Sequence, residues 1–268
     1  MVRIKNYIIK AVREAKVHTA WLKPDTDYEN AYVSFVEKIL ARSEANAFLK
    51  EFIPFCQRVS HYGILNSLSQ TLIKITSPGV PDFYQGSELW DLSLVDPDNR
   101  RPVDFEKRRA MLAGIREQEE ADIGRLIQEL LATREDGRIK LFLIYRALKA
   151  KKANREIFRA GAYLPLESAG RFRSQVIAFA WRYQRQWALV LAPRFLSQLI
   201  PEGDFPLGRQ VWQDTEVIMP NGAPAAWRNV ITSEVLSADQ ALFVGDVLRS
   251  FPVALLMGEG KEEYVQAA

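Results

Sequence analysis

The sequence predicts a chain of two textures. A helix-rich α/β portion runs through about residue 160, and a small antiparallel β-sandwich follows over 161–268. Three observations carry this expectation. Apolar residues recur at helical spacing in most segments before Gly161. After Gly161 the segments are short and rich in β-formers. Turns of Pro, Gly, Asn and Asp separate those short segments, as in a sandwich.

The elements follow in order. Ile4, Ile8, Ala11, Val12 and Ala15 share one helical face, and Pro24 marks a break after them. Thr26 with Glu29 three residues on reads as a capping box. Tyr32, Phe35, Val36, Ile39 and Leu40 then make an amphipathic helix. Ser43 to about Leu72 is helical, with Pro54 and Gly63 expected to split or kink it. Leu72-Ile73-Lys74-Ile75-Thr76 is apolar and β-branched and stops at Ser77-Pro78-Gly79, so a short strand is expected there. Helices resume over about 104–118, 121–132 and 138–152, the last of them apolar nearly all round and therefore expected to be buried on two sides, as between two domains. Val176–Trp181 and Trp187–Leu191 form a strand pair around Gln184-Arg185-Gln186, with further strands expected at Gln210–Trp212, Glu216–Met219, Asn229–Thr232 and Val253–Met257.

Composition narrows the function classes. The chain has 268 residues, 48% hydrophobic and 26% charged, enough to bury a core. Its 36 basic and 33 acidic residues leave +3, too even a balance to argue for nucleic acid or an anionic membrane as partner. A single cysteine, Cys56, permits no internal disulfide and fits a reducing cytoplasm; its apolar neighbours suggest a buried thiol. The N-terminus lacks the apolar run and cleavage site of a secretory leader, and no stretch reaches membrane-spanning length. One Cys with His18 and His61 makes zinc a poor expectation. Asp96-Pro97-Asp98-Asn99 opens like a calcium loop, but Arg101 and Lys107 stand where an EF-hand needs Gly and Glu. Nucleotide-binding glycine motifs, HExxH and a nucleophile elbow are absent.

What remains is the long aperiodic loop from Ser77 to Pro102. It gathers carboxylates (Asp82, Glu88, Asp91, Asp96, Asp98), the rings of Phe83, Tyr84 and Trp90, the amides of Gln85 and Asn99, and Arg100 with Arg101. Sugars need this mixture, because their apolar faces pack on rings and their hydroxyls need paired donors and acceptors. A salt-bridged loop whose Asp–Arg pairs only hold its shape accounts for the same residues, and both readings stand.

The run Ile75–Glu88, with Pro78-Gly79-Val80-Pro81 and Tyr84-Gln85-Gly86-Ser87-Glu88, resembles the eighth strand and following loop of the α-amylase superfamily. Its continuation Asp96-Pro97-Asp98-Asn99-Arg100-Arg101-Pro102-Val103-Asp104 is similar to the form found in maltooligosyltrehalose synthases. So are the flanks Lys10–Trp21 and Lys140–Leu166. The resemblance runs along essentially the whole chain.

It implies a C-terminal portion only: over 1–160, the last and mostly helical part of a TIM-barrel catalytic domain with its final strand and loop, then the sandwich. It implies an isomerase that turns the reducing-end α-1,4 bond of a maltooligosaccharide into an α,α-1,1 bond, by retaining chemistry on two carboxylates. Those carboxylates sit in earlier strands of the family, together with a His-Asp pair. Here His18 precedes Thr19 and His61 precedes Tyr62, so no catalytic residue is assigned. The chain alone is expected to be inactive and only partly stable. It is expected to work as the tail of a longer polypeptide or beside a separate N-terminal chain; a glucan-binding accessory chain or a gene fragment are the alternatives. Loops at the C-terminal ends of barrel strands line the site, so Tyr84, Gln85, Glu88, Asp96, Asp98, Arg100 and Arg101 are the candidate sugar contacts, with Lys16 and His18 beside them. No metal or cofactor is implied. Trp181, Trp187, Trp212 and Trp227 are expected in the core, and Trp21 is a candidate sugar platform.

Overall fold

A computed structural model describes residues 1–238 and 240–260; the last eight residues of the expected second domain lie outside these. The chain divides into two compact units, 1–60 with 91–103, and 61–90 with 104 onward.

In the first unit, α1 (Val2–Ala15) lies against α2 (Thr26–Ile39). The N-cap of α2 is Asp25, whose carboxylate accepts from the Tyr28 amide at 3.0 Å. Thr26 is already helical, so the expected capping box is absent. Glu29 is instead buried, held by Arg13 through two bonds of 2.7 Å and by the Thr19 hydroxyl at 2.6 Å. These donors, Arg13 first, hold its carboxyl down at about 2. Ile8 and Val36 are the buried apolar side chains of this unit. That is a thin core, because Tyr32 and Phe35 of α2, and Phe48, Phe52, Ile53, Phe55 and Val59 in the first half of the following helix, are exposed.

The third helix, α3 (Ala47–Thr76), passes from the first unit into the second at Ser60–His61. It runs unbroken through Pro54 and Gly63, so of the expected split or kink the split into two helices is absent. It also absorbs the expected strand at Leu72–Thr76, which is its last turn. Three features hold that turn helical. The Thr76 hydroxyl donates back to the Leu72 carbonyl at 2.7 Å, Lys151 Nζ donates to the Ile75 carbonyl at 2.7 Å, and Trp181 Nε1 donates to the Thr76 carbonyl at 2.8 Å. Carbonyls orphaned at a helix end need such donors, and these come from far along the chain. Cys56 is half-buried rather than buried.

The second unit packs its helices against a sheet. α4 (Phe105–Ala132) carries one non-helical residue, Asp122, whose carboxylate caps the Arg125 amide at 3.0 Å. The expected break after residue 118 is therefore this kink. α5 (Arg138–Ala153) is buried on several sides, as its sequence implied, and α6 (Arg155–Ala160) follows, unforeseen. Gly161 closes α6; a Cβ there would lie 2.2 Å from the Ile157 carbonyl, so only glycine allows the chain to turn from helix to strand at this point.

The strands are β1 (Ala162–Pro165), β2 (Ser168–Ala169), β3 (Val176–Tyr183), β4 (Gln186–Pro193), β5 (Glu216–Ile218), β6 (Ala226–Asn229), β7 (Val235–Ser237), β8 (Ala241–Phe243) and β9 (Ala254–Glu259). They form two antiparallel sheets, β1-β3-β4-β9-β6-β7 and β2-β5-β8. Gln210–Trp212, expected as strand, belongs to the short helix α7 (Gly208–Trp212). The strand expected at Asn229–Thr232 lies earlier, as β6. A second short helix, α8 (Val244–Val247), follows β8.

Side-chain alternation places the larger sheet between two cores. Phe179, Trp181, Ala188, Val190 and Leu255 face Leu68, Leu72, Phe142 and Ile157 of the helices. Their neighbours Ala180, Leu189, Leu191 and Leu256 face Val217 and Leu242 of the smaller sheet, with Trp212 of α7. The first core therefore draws on residues from both sides of position 160. The change of texture at Gly161 is a change of element type inside one compact unit. Trp181, Trp187, Trp212 and Trp227 are all buried in these cores.

Candidate functional site

The candidate residues fall in both units. In the first unit, the segment 91–103 contains one short 3-10 turn, Asp98–Arg100, and is bound to α1. Arg3 donates to both oxygens of Asp98, at 2.8 and 2.7 Å, and to the Leu92 carbonyl at 2.7 Å. The Leu94 amide adds a bond of 2.7 Å to the same carboxylate. Arg3, then that amide, hold the Asp98 carboxyl at about 2.

Lys10 reaches the carbonyl of Asp96 and stands 3.2 Å from its carboxylate. This pairing, chiefly, lowers the Asp96 carboxyl from its ordinary range. Arg100 donates to Asp96 at 3.1 Å, yet 71% of its side chain stays exposed. Arg101 bonds the Asp98 carbonyl and the Ser93 hydroxyl, at 2.9 and 3.1 Å. Lys16 ends α1 in the left-handed region and is exposed. His18 packs its ring on Tyr28 at 4.9 Å, with Tyr32 beyond, and Trp21 lies under the Arg13 guanidinium at 5.0 Å.

In the second unit, Arg108 of α4 fastens the segment after Gly79. It donates to Glu88 at 3.0 Å, to the Gly86 carbonyl at 2.8 Å and to the Asp104 carbonyl at 2.9 Å. Glu88 also accepts from the Gly86 amide at 3.0 Å, closing a small ring of bonds around a buried glycine. Trp90 donates to the Arg134 carbonyl at 2.8 Å, and Phe83 lies under Lys74 at 3.9 Å; both rings pack against the helical core. Tyr84 and Gln85 project outward, with 56% of Tyr84 exposed.

The candidates thus separate by environment. Glu88, Asp96 and Asp98 are committed to ion pairs that shape the backbone, which is the salt-bridged reading of this loop. Tyr84, Gln85, Arg100 and Arg101 keep faces open to solvent and retain the ring, amide and guanidinium chemistry that a sugar needs. Sequence reasoning missed Arg3 and Arg108, the donors that fix both segments. A long-range pair between a surface arginine and a loop carboxylate leaves no periodic trace in one sequence.

No family model matches the chain. It is 30% identical over 255 residues to the putative maltooligosyl trehalose synthase of Mycobacterium tuberculosis strain H37Rv, covering 95% of this chain and 28% of that protein. The solved maltooligosyltrehalose synthase of Arthrobacter ramosus superposes with a TM-score of 0.74 at 29% identity, covering 96% of this chain and 30% of that one. Another maltooligosyl trehalose synthase crystal structure superposes with a TM-score of 0.69 at 28% identity over the same shares. The chain thus spans under a third of the length of the relatives it matches. Along nearly its whole length it is similar to the maltooligosyltrehalose synthases, and it corresponds to a C-terminal portion of them.

Proposed function

We propose that this chain serves as the C-terminal portion of a maltooligosyltrehalose synthase, acting on maltooligosaccharides to convert the reducing-end α-1,4 bond into an α,α-1,1 bond. The observation that carries the proposal is the match of 95% of the chain, at 30% identity, to a putative maltooligosyl trehalose synthase of which the match covers 28%. In this reading the helical stretch before Gly161 completes an amylase-like barrel domain, and the two antiparallel sheets after it form a C-terminal β-sandwich. The carboxylates that make and resolve the glycosyl-enzyme intermediate belong to the portion this chain lacks. This chain supplies walls of the site. In the second unit Tyr84 offers a ring for a glucose face and Gln85 a hydrogen-bond donor; in the first, Arg100 and Arg101 offer donors, with Lys16 and His18 as further candidate contacts. Glu88, Asp96 and Asp98 keep the two segments in shape. Such walls also help exclude water, which a transfer between two sugars requires.

The test is an assay with maltopentaose. The chain alone shows no loss of reducing ends. The same chain, fused in frame behind the preceding portion of the Mycobacterium tuberculosis relative, consumes them. Equal activity in both preparations, or none in either, overturns the proposal.

A further inference from the structure

The first half of α3 carries an apolar seam that nothing among the described residues covers. Phe48, Phe52, Phe55 and Val59 are 44%, 40%, 54% and 53% exposed. Their spacing of four, three and four residues places them within an arc of about 60° on the helix. Phe48 and Phe52 stack at 4.9 Å, so the seam is a packed ridge rather than scattered side chains. This is the repeat by which one helix seats its knobs in the holes of another. Exposed ridges of this kind mark interaction surfaces. The unit bearing it buries only Ile8 and Val36 of its own apolar side chains, so it has little other core to stand on.

We propose that this seam is the docking face for a helix of the portion that the relatives have and this chain lacks. The inference rests on the functional reading above, because the occupant is that missing portion. Its length supports the choice, since about 70% of the relatives' length lies outside the match. The occupant must be apolar to match a ridge of three phenylalanines and a valine, and this ridge is where the first unit lacks a core.

Cys56 reports on the face directly, being the chain's one cysteine, half-buried and next to Phe55. Iodoacetamide labelling of Cys56, read at the peptide level by mass spectrometry, is compared between the chain alone and the in-frame fusion. The fusion is expected to slow labelling at least about tenfold. The pair Phe52→Asp and Phe55→Asp restores fast labelling and lowers activity, and Val235→Asp, an exposed site on β7, changes neither. A fusion that converts maltopentaose while Cys56 labels as fast as in the free chain overturns the docking face and leaves the functional reading standing. A fusion that neither converts nor protects overturns both. Protection in the chain alone that grows with concentration, with a doubled mass in sedimentation, assigns the seam to a second copy and overturns the proposal.

Discussion

Arg3, in the first turn of α1, grips both carboxylate oxygens of Asp98, ninety-five residues further along, at 2.8 and 2.7 Å. A carboxylate held this way is stabilised in its charged form, and its folded value sits at about 2. The contribution to stability is complete above the unfolded value near 4 and is lost as pH falls toward about 2. Asp98→Asn removes it. Hydrogen exchange at residues 91–103 is expected to quicken in the variant at pH 7, and the wild-type chain to approach the variant as pH is lowered through this window.

Trp181 Nε1 and the Thr76 carbonyl form a buried bond of 2.8 Å that closes α3. Trp181→Phe keeps the ring packing against Phe158 and removes the donor. Leaving that carbonyl unmet costs about 1–2 kcal/mol, measured as a shift in the urea midpoint without a change of slope.

Gly63 lies exposed inside α3, and a Cβ built on it meets nothing within 4 Å. Gly63→Ala is expected to stabilise the isolated chain by about 0.5–1 kcal/mol, because alanine loses less backbone freedom in a helix. Thermal unfolding checks this. A destabilised variant would contradict open space at this position.

Tyr84 and Glu88 stand four residues apart and are expected to fail differently. In the fused enzyme, Tyr84→Ala lowers kcat/KM for maltopentaose about tenfold, the loss of roughly 1.4 kcal/mol of contact, with an unchanged melting temperature. Glu88→Gln breaks the pair with Arg108 and costs about 1 kcal/mol of stability, with a smaller kinetic effect. Paired steady-state kinetics and thermal melts separate the two roles.

The sequence made α1, α2, α5 and the β3–β4 hairpin legible because each has a clear hydrophobic period over a full element. It misled at Leu72–Thr76, where β-branched residues before a Pro-Gly turn imitate a strand. The evidence for helix there is tertiary, in the donors Lys151 and Trp181. Gln210–Trp212 failed for the opposite reason, being too short for any period to decide between helix and strand. The capping box failed because Asp25 outcompeted Thr26 as cap and Arg13 claimed Glu29. At the candidate site, composition alone pointed to the loop. It could not divide shape-holding carboxylates from open contacts, since that division depends on Arg3, Lys10 and Arg108 arriving from other elements.

The most direct measurement is a proton NMR time course of maltopentaose with the fused protein, following the anomeric region. The reducing-end signals are expected to decline as an α,α-1,1 anomeric signal grows, with little free glucose. Growth of reducing-end signals with release of glucose would instead mark a hydrolase and contradict the assignment.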